Sequence, residues 1–102
     1  MKEYTLKYSD EIVADFDRLS VFATEQHTPD FARRYTAKLR KKIEDLSILT
    51  GIYHESEYRI PKLYHPHAKT MTIGNRKLTV IFHIEEEYVI VDKILPSCMI
   101  TY

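Results

Sequence analysis

Apolar and polar residues alternate most regularly between Ala68 and Leu95, where AKTMTI, RKLTVIFHI and YVIVDKIL read as three strands. The middle run, Leu78 to Ile84, is rich in β-branched and aromatic residues and holds no proline, which predicts a strand buried on at least one face. Gly74–Asn75 predicts a two-residue hairpin turn, because glycine supplies a positive φ without steric cost. Closed that way, the turn sets Met71 opposite Leu78, Thr70 opposite Thr79 and Thr72 opposite Lys77. One face then gathers Met71, Ile73, Leu78, Val80, Phe82 and Ile84, which needs a cover. The other gathers Thr70, Thr72, Thr79, Ile81 and His83, and is the face on which to look for function. The acidic run Glu85–Glu86–Glu87 turns the chain into a last strand, Tyr88 to Leu95, ended by Pro96. A two-residue turn there puts Val89, Val91 and Lys93 on the core face, a three-residue turn Ile90, Asp92 and Ile94. Periodicity leaves both frames open, since a one-residue slip flips every side chain.

Upstream, Tyr4, Leu6 and Tyr8 alternate with Thr5 and Lys7, the pattern of a half-buried first strand over Glu3 to Tyr8. Ser9–Asp10 starts a helix running to about Gln26, with Ile12, Phe16, Leu19 and Ala23 at helical spacing. Thr28–Pro29 caps and opens a second helix whose stripe is Ala32, Tyr35, Leu39, Ile43 and Leu46, closing near Thr50–Gly51. The long connection from Ile52 to His67 is read as an extended stretch along a sheet edge at Tyr58–Leu63, or as a functional loop. The order β-α-α-β-β-β predicts an α+β fold: a two-helix hairpin packed on one face of a four-stranded, mostly antiparallel sheet.

Length and composition bound the rest. The 102 residues make one domain, 1–102, large enough for a core without metal or disulfides. A single cysteine, Cys98, forms no internal disulfide, which with no membrane-length apolar run and no signal-peptide pattern predicts a cytoplasmic protein. Fifteen basic and fifteen acidic side chains cancel, so any case for nucleic-acid binding must come from local clusters. One such cluster is Arg33, Arg34, Lys38, Arg40, Lys41 and Lys42 on the second helix, set against the plain reading of a solvated helix face.

His83, mid-strand on the face away from the core, is the candidate for proton transfer near neutral pH. Lys69, Arg76 and Lys77 are the candidates for holding a phosphate or another target at the hairpin end of that face, and Arg76 is the second catalytic candidate. His65–Pro66–His67 has the spacing of a two-ligand metal clip that His54, Glu55 or Glu57 would have to complete. The pattern is incomplete, and no metal or other cofactor is expected.

The element order, the helix hairpin, Ser9–Asp10–Glu11 after the first strand and the block NRKLTVIFHIEEEYVIVDKIL together resemble the RelE/ParE superfamily of bacterial toxins. The resemblance spans nearly the whole chain. It implies the toxin of a type II, plasmid-stabilisation type toxin–antitoxin pair, neutralised by an antitoxin protein that wraps it. The RelE branch implies metal-independent cleavage of mRNA on the ribosome, and the ParE branch implies binding to DNA gyrase. Where RelE-type ribonucleases carry alternating lysines before the glycine turn, this chain has Thr70 and Thr72. Thr79 stands where the family's strand opens on arginine, with Arg76 three residues earlier, and where the family often has arginine or a His-Tyr pair near the C-terminus this chain has Pro96–Ser97–Cys98–Met99, with Tyr102 alone resembling it. These departures set a second expectation beside the toxin: a non-catalytic binding module that dimerises or holds a protein through an open sheet face bearing Ile81.

Overall fold

The computed structural model describes residues 3–26, 28–49, 53–73 and 77–100. Its elements are β1 (Thr5–Tyr8), α1 (Asp10–Gln26), α2 (Pro29–Glu44), a short α3 (Leu46–Leu49), α4 (Arg59–Tyr64), β2 (Lys69–Ile73), β3 (Leu78–Glu85) and β4 (Tyr88–Pro96), then a 3-10 turn at Ser97–Met99. One mixed sheet has the order β1-β4-β3-β2, with β1 parallel to β4 and the other two pairs antiparallel.

Local chemistry sets the helix limits. The Ser9 hydroxyl accepts the Ile12 N–H (3.2 Å) at the start of α1, and the Thr28 hydroxyl accepts the Phe31 N–H (3.2 Å) at the start of α2, with Pro29 in the first turn. Thr28→Ala is expected to lower stability by about 1 kcal/mol, measured by urea unfolding. The two helices lie side by side over one face of the sheet. Ile12 and Phe16 from α1, Leu39 and Ile43 from α2 and Leu46 from α3 close over Met71, Ile73, Val80, Phe82, Val89, Val91 and Ile94. Leu19 and Tyr35 line the edge of that core. The side chain of Ala23, and Thr50 and Gly51, lie outside the described residues.

Three expectations change. Met71 pairs with Val80, Thr70 with Ile81 and Thr72 with Thr79, a register two residues away from a Gly74–Asn75 closure. Gly74, Asn75 and Arg76 themselves lie outside the described residues. A shift of two preserves the alternation of side chains, so both faces of β3 keep the membership predicted for them. In β4 each frame holds for half the strand. Glu85 pairs with Tyr88, a two-residue turn with Glu86 at φ 57, and places Val89 and Val91 in the core. Between Ile81 and Phe82 the register then slips, Phe82 facing Val91 and Ile81 facing Lys93, and the extra residue Asp92 returns Ile94 to the core.

The third change is the long connection. Tyr58–Leu63 is no extended edge: Arg59–Tyr64 is helical with Pro61 buried inside it, and only Glu55 makes an edge bridge, to Lys69. The segment passes from one face of the sheet to the other around β2. Tyr53 meets Phe82 edge-on from the core side (5.8 Å), Glu55 sits at the β2 edge, and His65 stacks on His83 from the far side. The second face is therefore covered over Thr79, Ile81 and His83, while Thr72 stays exposed. Ile81, expected on an open surface, is fully buried, as are Ala68 and nearly all of Thr79.

Candidate functional site: a histidine–carboxylate centre under α4

β3 sends His83 to the face opposite Phe82, and Asp92, next along β4 from the core residue Val91, points to the same side. His83 Nδ1 lies 2.7 Å from Asp92 Oδ2, with the His83 side chain 9% and the Asp92 side chain 13% exposed. The His65 ring lies flat on the His83 ring, centroids 4.0 Å apart and planes 2° from parallel. His65 Nδ1 accepts the His67 N–H (3.0 Å), and His67 Nδ1 is 2.8 Å from Glu55 Oε1. Glu85 Oε2 stands 3.6 Å from His83 Nε2, beyond hydrogen-bond length. Two carboxylates thus flank an imidazole whose face is closed by a second imidazole.

Burial pushes the Asp92 carboxyl above the usual carboxylate range, and the hydrogen bond and charge of His83 pull it partly back. Desolvation also raises the Tyr64 phenol at the end of α4, with Glu11 and Asp15 adding to the effect. The nearby cation, Lys93, is already engaged: its Nζ donates to Asp15 Oδ1 at 2.9 Å. Asp15 also accepts the Ile94 N–H (3.1 Å) and pairs with Arg18 one turn on.

The structure separates the predicted target-binding cations. Lys69 begins β2 opposite Phe82, beside the Glu55 bridge, whereas Lys77 is exposed beyond the Ile73–Leu78 pair. Five strand positions, about 17 Å, part them, so Lys69 is not at the hairpin end of the face. Arg76 and Tyr102 lie outside the described residues. Thr79 is buried and its hydroxyl bonds Ser97 (2.9 Å), fastening the turn after β4. His65 and His67 are turned to His83 and Glu55, and among the described residues no three His, Cys, Asp or Glu side chains converge to hold a metal ion. On α2, Arg33 pairs with Asp30 and Arg40 lies over the Phe16 ring at 4.7 Å.

Sequence reasoning found His83 and its face but missed Asp92, Asp15 and the stacking role of His65. A signal for Asp92 was present. In VIVDKI the apolar positions Val89 and Val91 run in one frame and Ile94 in the other, with the polar pair Asp92–Lys93 at the change, as a bulge requires.

No family model matches the chain, and no curated protein matches its sequence. Among solved structures it is similar to a chain of the chromosomal ParDE TA system from P. aeruginosa, at TM-score 0.78 and 14% identity, covering 94% of this chain and 98% of that one. No described helix is long and apolar enough to cross a membrane. With the helix hairpin, the β1-β4-β3-β2 sheet and this likeness across nearly its whole length, the chain has a RelE/ParE-like α+β fold.

Proposed function

We propose that the protein is the toxin of a toxin–antitoxin pair, held in check by an antitoxin protein, and that it acts on a protein target, DNA gyrase in the ParE branch, in preference to cutting mRNA. The observation that carries the toxin reading is the fold match over 94% of the chain to a chain of a ParDE system. The choice of target rests on charge. Metal-free RNA cleavage needs cations on the phosphate and a base for the 2′-hydroxyl proton. Here the one strand imidazole sits between Asp92 and Glu85, lies under His65, and has its neighbouring Lys93 tied to Asp15. A phosphate brought to His83 would meet two carboxylates before any free cation. Lys69 and Lys77 stand too far apart to grip one phosphate together. They fit better as separate contacts on a protein surface.

The test is expression in a bacterium, alone and beside the small open reading frame next to the gene. The purified protein is then assayed for inhibition of gyrase supercoiling and for translation-coupled mRNA cleavage. Growth arrest relieved by the neighbouring gene, with supercoiling inhibited and mRNA intact, is the expected result. Harmless expression at verified soluble levels would overturn the toxin reading and favour a non-catalytic module. Cleavage lost in His83→Ala or Arg76→Ala would overturn the protein target and restore the nuclease assignment.

A further inference from the structure

The two helices of the outer layer carry opposite and equal charge. α1 has five acidic side chains against one basic, net −4, and α2 has six basic against two acidic, net +4. On α1, Asp10, Asp17 and Glu25 are exposed, and on α2 so are Arg34, Lys38 and Lys41. None of these six has an ion-pair partner among the described residues. At 100° per residue, Asp10, Asp17 and Glu25 fall within one third of the α1 circumference, and Arg34, Lys38 and Lys41 fall on the side of α2 away from Leu39 and Ile43. Val13 and Val21, 56% and 58% exposed, lie on the same outer side of α1. The layer therefore presents an acidic row beside a basic row, with exposed valines between the acids.

We propose that the protein pairs with a second copy of itself through this helix layer, about a two-fold axis parallel to the helices, each acidic α1 row lying on the basic α2 row of the other copy. A two-fold interface must match itself: whatever one copy offers at one place, the other must answer at the symmetry-related place. An axis along the helices sets each α1 over the opposite α2 and keeps every residue at its own height above the connection between the helices. At 1.5 Å per residue, Asp17 and Lys38 both lie about 14 Å from that connection. Glu25 and Arg34 differ in height by about 6 Å, as do Asp10 and Lys41, a gap that extended Arg and Lys side chains span. A single row of one sign would instead repel its own copy, and the balanced charge of the whole chain adds no repulsion.

The area limits the affinity. Helices about 25 Å long and about 10 Å apart offer roughly 500 Å² per copy, at the low end for specific association. The pair should be reversible and sensitive to salt, because exposed ion pairs are individually weak and screened.

Sedimentation velocity of the full chain from about 10 to 500 μM at low salt tests this. Dimer should form with rising concentration, and its association constant should fall about tenfold or more between about 0.05 and 0.5 M salt. Lys38→Glu/Lys41→Glu and Asp17→Lys/Glu25→Lys should each sediment as monomer while keeping the parent's circular dichroism. An equimolar mixture of the two should form a heterodimer, seen by native mass spectrometry, because both pairs of facing rows then have opposite sign again. A monomeric parent throughout that range would overturn the proposal. So would charge-reversed variants that still dimerise like the parent, or a mixture that stays monomeric. A parent that is monomeric yet captured on heparin through α2 would assign the basic row to a polyanionic partner instead.

Discussion

Asp15→Ala is expected to destabilise the protein by about 3–5 kcal/mol, the cost of leaving a desolvated charge without its partner. β1 pairs with β4 only as far as Val91. Beyond that point α1 completes the β4 edge: the Ser9 N–H donates to the Val91 carbonyl, the Ser9 hydroxyl to the Asp92 carbonyl, and Asp15 receives the Ile94 N–H. Asp15 is 4% exposed and the Lys93 side chain 15%. Removing the carboxylate strands the Lys93 ammonium and an interior backbone N–H together, the latter alone worth about 1–3 kcal/mol. Asp15→Asn keeps an acceptor for Ile94 and should cost about half as much, since an unpaired backbone donor and an unpaired ammonium are separate penalties. Urea unfolding reads both as shifts in midpoint at constant slope. An alanine variant within about 1 kcal/mol of the parent would show that Asp15 does not hold the edge.

His83→Ala should cost about 2–4 kcal/mol at pH 7.5, and the loss should shrink as the solution is acidified and Asp92 takes up its proton. The alanine removes the His65 stack and leaves Asp92 under α4 without its hydrogen-bond partner. The folded Asp92 carboxyl already titrates above its ordinary value, burial being the main cause. A raised folded pKa means the folded state takes the proton more readily than the unfolded one. The stabilisation from protonation is then complete below the unfolded carboxylate range, about pH 3.9, and is lost as pH rises through the folded value. Without His83 that dependence should steepen. In Asp92→Asn it should flatten, because a neutral amide oxygen still accepts from Nδ1 and nothing at the position titrates. Paired unfolding curves of the parent, both single variants and the double variant between pH 4 and 8 give the coupling. A His83→Ala penalty that does not change with pH would remove Asp92 from the account.

What the sequence made legible follows the range of the forces involved. Ser9, Thr28 and Pro29 act within one turn of chain, so both helix starts and the buried stripes of α1 and α2 could be read directly. The two faces of β3 were equally plain, since alternation is a property of the strand itself. The break in β4 left a trace in VIVDKI, but the carboxylate that satisfies the Ile94 N–H lies 79 residues away, outside any window on the strand. α4 gave little warning: it is six residues long, and Tyr58 offers no side-chain cap. The site suffered the same way. His83 lies in a strand whose faces could be read, whereas Asp92 depends on which frame β4 takes and His65 on a segment wrapped around the sheet edge.

The parallel pairing of β1 with β4 has a consequence for how the molecule is made. Thr5–Tyr8 finds its sheet partner only at Tyr88–Val91, and Ser9 bonds Asp92 across 83 residues of chain. Synthesis runs from the amino end, so α1 and α2 emerge and can coil together long before β4 exists. β1 must wait, unpaired, until the last strand has left the ribosome. Closing so large a loop is slow and comes late, which orders the events: helices first, the β2–β3–β4 meander next, and the amino-terminal strand docked last. Every shorter nascent chain exposes the open edge of its own future sheet.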